Sequence, residues 1–177
     1  MAQQYFSDSE WAILMQAPLQ AVMGLTLADK TDPVSFLKEA QAGIKILAAE
    51  QQRQDITNDL VGALVASLNE ADTKEPVQGE ALLLKKEFKL LRELQNLKNA
   101  AEGRQKAIAH FEQVSSILAA KVTAAQAVEF KSWLMSIAQK VAEAVKEGGF
   151  LSIGGEKVSE PEASMLKKLE QTLTFKV

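Results

Sequence analysis

From Trp133 an amphipathic pattern runs into Gly148-Gly149-Phe150-Leu151-Ser152-Ile153-Gly154-Gly155, and a second helical pattern opens at Ser159 and reaches Leu173. The same order occurs near the N-terminus, from Trp11 past Pro33: a tryptophan, a helix, a break at a turn, a proline, a helix. A chain with this punctuation buries its apolar residues on helical faces, so the fold class is all-α. Ala, Leu, Glu, Lys and Gln dominate the rest, the residues that lose least freedom in a helix, and only four prolines interrupt them.

Helix boundaries are written locally. Ser7-x-x-Glu10, Thr123-x-x-Gln126 and Ser159-x-x-Glu162 have capping-box spacing, in which two side chains satisfy each other's free backbone N–H groups. Asp32-Pro33 supplies a further start, with Asp as N-cap and Pro at the first helical position. The first helix should run from Ser7 to about Leu27, kinked or split at Pro18. A second carries Leu37, Ala40, Ile44, Leu47 and Ala48 on one face and ends at the polar stretch 51–55, and Leu60, Val61, Leu64 and Leu68 mark a third. Residues 69–79 read as a linker, with Asp72, Thr73, Pro76 and Gly79 among charges.

Beyond the linker, Leu83, Leu84, Phe88, Leu91, Leu94 and Leu97 predict a wide apolar stripe on a fourth helix. Ile108, Phe111, Ser115 and Leu118 predict a fifth; Phe130, Leu134, Ile137, Val141 and Val145 a sixth. Phe150–Ile153 and Glu156–Val158 flank Gly154-Gly155, so one short β-hairpin near 150–158 is the most strand structure to expect. The expected architecture is a single-domain helical bundle of six or seven helices over residues 1–177, with possible related halves at 7–70 and 123–175. Trp11 and Trp133 each begin an apolar face and should both be buried.

Composition narrows the chemistry. The chain of 177 residues has no cysteine, which excludes disulfides, thiolate metal sites and a Cys nucleophile. No cationic region followed by an apolar stretch opens the sequence, and the apolar run Trp11–Leu27 is broken by Gln16, Pro18, Gln20 and Thr26. No membrane span and a cytoplasmic location are therefore expected. Residues 1–76 hold five Lys/Arg against eleven Asp/Glu, and residues 77–177 fifteen against twelve. Such asymmetry can guide docking of halves or head-to-tail association, but ordinary scatter of solvated charge is the simpler account of it.

Each candidate for chemistry has a plainer explanation. The glycine segment fits neither dinucleotide nor P-loop spacing, and Glu160 and Glu162 already occupy the helix start that an anion would need. His110, the one histidine, has no thiolate and no triad partner in Ser115 or Ser116, and reads as a partly exposed helical residue. Acidic groups gather at two turns, Asp29, Asp32 and Glu39 at the first, Glu147, Glu156 and Glu160 at the second. They suit a hard cation by type but follow no EF-hand spacing. Lys85, Lys86, Lys89 and Arg92 form a basic strip interrupted by Glu87 and Glu93, and i,i+4 pairing such as Lys89 with Glu93 explains it without nucleic acid.

Leu27-Ala28-Asp29-Lys30-Thr31-Asp32-Pro33 and the second unit, Gly148 to Val158 followed by Ser159-Glu160-Pro161-Glu162, together resemble the tellurite-resistance B-like proteins. These are small bacterial helical domains built from two related halves, each with an acidic turn before a helix. The equal separations Trp11–Ala28 and Trp133–Phe150 suit that frame, which covers about half the chain and has no counterpart for residues 77–122. The resemblance implies a stress-related role, and Asp29 as the one acidic turn residue carried over directly.

No catalytic, cofactor-binding or metal-ligating residue is assigned from these observations, and no cofactor is implied. The leading expectation is a non-enzymatic cytoplasmic interaction or scaffolding module, acting on an unknown protein partner or by self-association. The alternative is a small-ligand or hard-cation-binding helical protein with a pocket between helices.

Overall fold

The computed structural model describes residues 2–28, 33–147 and 158–174, with side chains for all of these except 33–35 and 145–147. A short 3₁₀ turn, Ala2–Tyr5, leads into seven α-helices: α1 Asp8–Thr26, α2 Pro33–Gln51, α3 Asp59–Thr73, α4 Glu80–Gln95, α5 Ala100–Lys121, α6 Ala124–Glu147 and α7 Glu160–Leu173. Among the described residues there is no strand. The hairpin expected near 150–158 falls almost wholly outside them, as do Asp29, Asp32 and the glycine segment. No helix among the described residues is long and apolar enough to cross a membrane.

The helix starts follow their local signals. At Ser7 and Ser159 both arms of the capping box form, with Glu10 and Glu162 returning to the cap backbone at 2.7 and 2.8 Å. Thr123 and Gln126 exchange the same pair of bonds ahead of α6. Asn58 caps α3 by accepting the Val61 N–H at 2.8 Å, and Gly79, at φ 63°, turns the chain into α4. The connections from α3 to α4, α4 to α5 and α5 to α6 are short.

α1 lies at the centre, packed against α2, α3, α5, α6 and α7. Residues 21–26 are buried without a break, as a helix surrounded by others requires. Pro18 does not split it: α1 runs through the proline as one helix, although Pro18 has no N–H to give the Leu14 carbonyl. The surrounding packing holds the turn that propensity alone would break. α5 and α7 close one side of α1, with Ala107 and Met165 meeting it at Gly24. α2 approaches the other side at Gly43, where Val22 lies so close that a β-carbon would be 2.4 Å from its Cγ1.

Both tryptophans are buried, Trp11 to 4% and Trp133 to 7% exposure, against Phe6 and Phe130 respectively. The predicted face of α4 needs correction. Its buried residues are Leu82, Glu87, Leu90 and Leu94, whereas Leu84 and Phe88 stand 51% and 62% exposed. α4 packs chiefly on α2 alone, so one narrow stripe suffices and the remaining apolar side chains face outward. The stretch read as a linker is also shorter, since α3 continues through Thr73.

Candidate functional site

Glu50 is the second-to-last residue of α2, at the helix end where a carboxylate is least favoured by the peptide dipoles. It is nonetheless only 3% exposed. Three donors compensate for the misplacement. The Trp133 indole donates Nε1–H to Oε2 at 3.1 Å, Arg53 reaches the same oxygen at 3.0 Å, and Lys140 holds Oε1. Burial pushes the Glu50 pKa up, but the hydrogen bonds and charges of Lys140 and Arg53 outweigh it and leave the group below the ordinary glutamate value. Glu50 therefore stays ionised and ties α2 to α6.

A second polar knot joins the ends of α2 and α3 to α4. Gln51 Nε2 donates to Asn69 Oδ1 at 3.1 Å and to Asp72 Oδ2 at 2.8 Å, and Asn69 returns a bond to the Gln51 carbonyl at 3.0 Å. That last bond satisfies one of the carbonyls a helix C-terminus leaves free. Lys86 of α4 completes the knot, 2.6 Å from Asp72 Oδ2.

Members of both knots, Glu50 and Trp133 of the first and Gln51, Asp72 and Lys86 of the second, line a cavity of about 340 Å³. Met15, Pro18 and Leu19 of α1, Ile44 and Leu47 of α2, Leu68 of α3, and Trp133 and Ile137 of α6 make its walls. Of the rest of its lining, Ala12, Gln16, Ala71 and Lys89 are exposed and mark its open side, with Asp72 and Lys86 half-buried beside them. Its volume lies in the lower part of the range of about 300–1,000 Å³ that small-molecule pockets span, and an apolar wall with a few placed polar groups is their usual composition. Lys89 differs from every other charged group here: it is exposed and forms no ion pair among the described residues.

The basic strip of α4 thus has a different use from the one expected. Lys85 pairs with Glu75 and Lys86 with Asp72, both across to the end of α3, and Lys89 does not pair with Glu93. His110 lies away from the cavity, half-buried in α5 against α1, with Nε2 2.7 Å from the Ile13 carbonyl. A carbonyl only accepts, so the ring carries its proton on Nε2. Burial lowers the His110 pKa, and this hydrogen bond opposes the shift only in part. Ser115 and Ser116 lie further along α5 and make no bond to His110.

Of the acidic turn residues, Asp29, Asp32 and Glu156 and the Glu147 side chain lie outside the described residues, Glu39 is buried on α2, and Glu160 is exposed at the start of α7. No group of three or more acidic or histidine side chains among the described residues is arranged to hold a metal ion. The residues that do converge, Glu50, Gln51, Asp72 and Trp133, were not singled out as a site by the sequence. One signal was available for the second knot: Gln51 falls four residues after Leu47 and seven after Ile44, in register with the apolar face of α2, whereas Glu50, six after Ile44, lies off that face. No family model, curated protein or solved structure matches this chain, so its function has to be read from the cavity and its rim.

Proposed function

We propose that this chain is a non-catalytic binding module that takes a small, largely apolar molecule into the cavity between α1, α2, α3, α4 and α6. The observation that supports this reading is the cavity itself: apolar walls from four helices, bordered by two polar knots whose members satisfy one another. Glu50 supports a binding role better than a catalytic one, because both its oxygens already accept donors and a depressed pKa makes it a poor base. The tellurite-resistance B-like resemblance would place such a module in a bacterial stress response.

The test is thermal unfolding with octan-1-ol and octanoate, alongside titration of tryptophan emission, since Trp133 lines the cavity. A ligand at one hundred times its Kd adds about 2.7 kcal/mol to the folded state, a midpoint rise of roughly 5–11 °C for a chain of this length. Ala71→Trp, at an exposed position on the opening, should abolish the rise by filling the mouth. If no eight-carbon probe moves either signal, the reading is wrong.

A second reading is favoured by Leu84 and Phe88, exposed one turn apart on α4, where they suit an interaction module. Phe88→Ser should then weaken concentration-dependent association in sedimentation velocity; a chain monomeric at all concentrations would remove self-association from consideration.

A further inference from the structure

We infer that the cavity selects amphiphiles with an anionic head, a carboxylate on an apolar tail, and that Lys89 is the residue that reads the head. The inference rests on the binding role proposed above and concerns which ligand class the same site takes.

The argument starts from which rim groups are free. Glu50 accepts from Trp133, Arg53 and Lys140, and Asp72 Oδ2 accepts from Gln51 and Lys86. A cationic ligand would meet carboxylates already neutralised by protein cations. Lys86 is likewise committed, with Asp72 at 2.6 Å and Gln51 Oε1 at 3.5 Å. Lys89 remains, three residues further along α4 at the same opening, with an ammonium group that has no anionic partner among the described residues. Counted together, Glu50, Asp55, Arg53 and Lys140 cancel, Asp72 and Lys86 cancel, and the charge left at the mouth is that of Lys89. One positive charge is thus left without a paired anion there, although the chain as a whole carries −3.

Size and polarity then set the rest of the ligand. At about 340 Å³ the cavity lies in the lower part of the small-molecule range, room for one short tail. Most of the remaining lining is apolar, Met15, Leu19, Ile44, Leu47 and Ile137 among it, and the buried carboxylate beside it, Glu50, is already paired. A linear tail of about eight carbons ending in one carboxylate fits both conditions. Met15 of α1, unbranched and with three rotatable bonds, adjusts readily to such a tail.

The test compares octanoate, octan-1-ol and octylammonium by isothermal titration at low ionic strength and again at about 0.15 M salt. A charge pair at a wet rim is worth about as much as a tenfold preference. Octanoate should therefore bind about tenfold more tightly than octan-1-ol, octylammonium most weakly, and added salt should narrow the gap. Lys89→Gln should bring octanoate and octan-1-ol within about twofold, and Lys89→Arg should keep the preference; both are exposed changes on α4 that leave the core untouched. Equal or tighter binding of octan-1-ol or octylammonium would overturn the head-group assignment while leaving the cavity as a binding site. Octanoate preference surviving in Lys89→Gln would overturn the role of Lys89. Absence of binding by all three probes would instead sink the binding role itself, which separates the two failures.

Discussion

Replacing Gly43 by alanine tests how closely the helices that build the cavity are packed. A β-carbon at position 43 would lie 2.4 Å from Val22 Cγ1, 3.4 Å from Cγ2 and 3.5 Å from Cβ. Val22 is fully buried and branched at Cβ, so rotation drives a methyl into neighbours that are themselves close-packed. Overpacking of this kind costs about 1–3 kcal/mol. Against it stands the helix propensity of alanine over glycine, about 1 kcal/mol. Gly62→Ala on α3 has the same chemistry without the obstacle, since nothing lies within 4 Å of its added β-carbon. Comparing the two variants cancels most of the propensity gain and isolates the clash: Gly43→Ala should be less stable than Gly62→Ala by about 1–3 kcal/mol, or roughly 2–12 °C in midpoint. Urea unfolding followed by tryptophan emission and circular dichroism measures this, with unchanged m-values confirming that only stability moved. In a Val22→Ala background the penalty should shrink, because the obstructing methyls are gone. If Gly43→Ala is as stable as Gly62→Ala, α1 and α2 are not in the contact described.

Two further predictions concern protonation. Glu50→Gln should cost about 1–3 kcal/mol at pH 7, toward the low side because Lys140 and Arg53 can each turn to water. With its pKa depressed in the folded state, Glu50 contributes stability present above the ordinary value of 4.5 and lost as pH falls through the folded value, so the gap in urea midpoint between wild type and Glu50→Gln should close toward pH 3; a gap that stays constant with pH would refute the pairing. His110 works in a higher window: its pKa is lowered on folding, so the unfolded chain takes up the proton first, and stability should begin to fall as pH drops below about 6.5. As the only histidine, it makes the check simple: the midpoint should decline from pH 7.5 to 5.5 in wild type and stay level in His110→Gln.

Much of the fold was legible because it is written within four residues. The caps at Ser7, Thr123 and Ser159 need only their own Glu or Gln three positions on, and all three formed. The burial of Trp11 and Trp133 followed from helical periodicity. What failed depended on neighbours. Leu82, Leu83 and Leu84 are consecutive, so α4 offers an apolar residue in almost every direction, and only the position of α2 decides that Leu82, Leu90 and Leu94 turn inward. Lys85 and Lys86 pair across to the end of α3 and not along their own helix, because the turn at 74–79 brings Glu75 and Asp72 beside them. The candidate site was the least legible feature, since Trp133 and Lys140 are 83 and 90 residues from Glu50.

The two tryptophans show how one residue's choice of partner shapes the cavity. Each buries its ring in a helical face and must deliver its indole N–H to an acceptor. Trp11 finds the Ser67 hydroxyl at 3.2 Å, a neutral group that makes no further demand. Trp133 finds Glu50, and a carboxylate this deeply buried requires cations, so Arg53 and Lys140 are drawn over the end of α2. The end of α2 is then fixed from two sides, by this clamp and by the knot of Gln51 with Asn69, Asp72 and Lys86. For α2 to slide inward over Met15 and Leu19 it would have to give up charged hydrogen bonds worth about 1.5–3 kcal/mol each. Clamp and knot together therefore resist that movement, and under the binding role proposed above the apolar surface between the helices is what a ligand would cover.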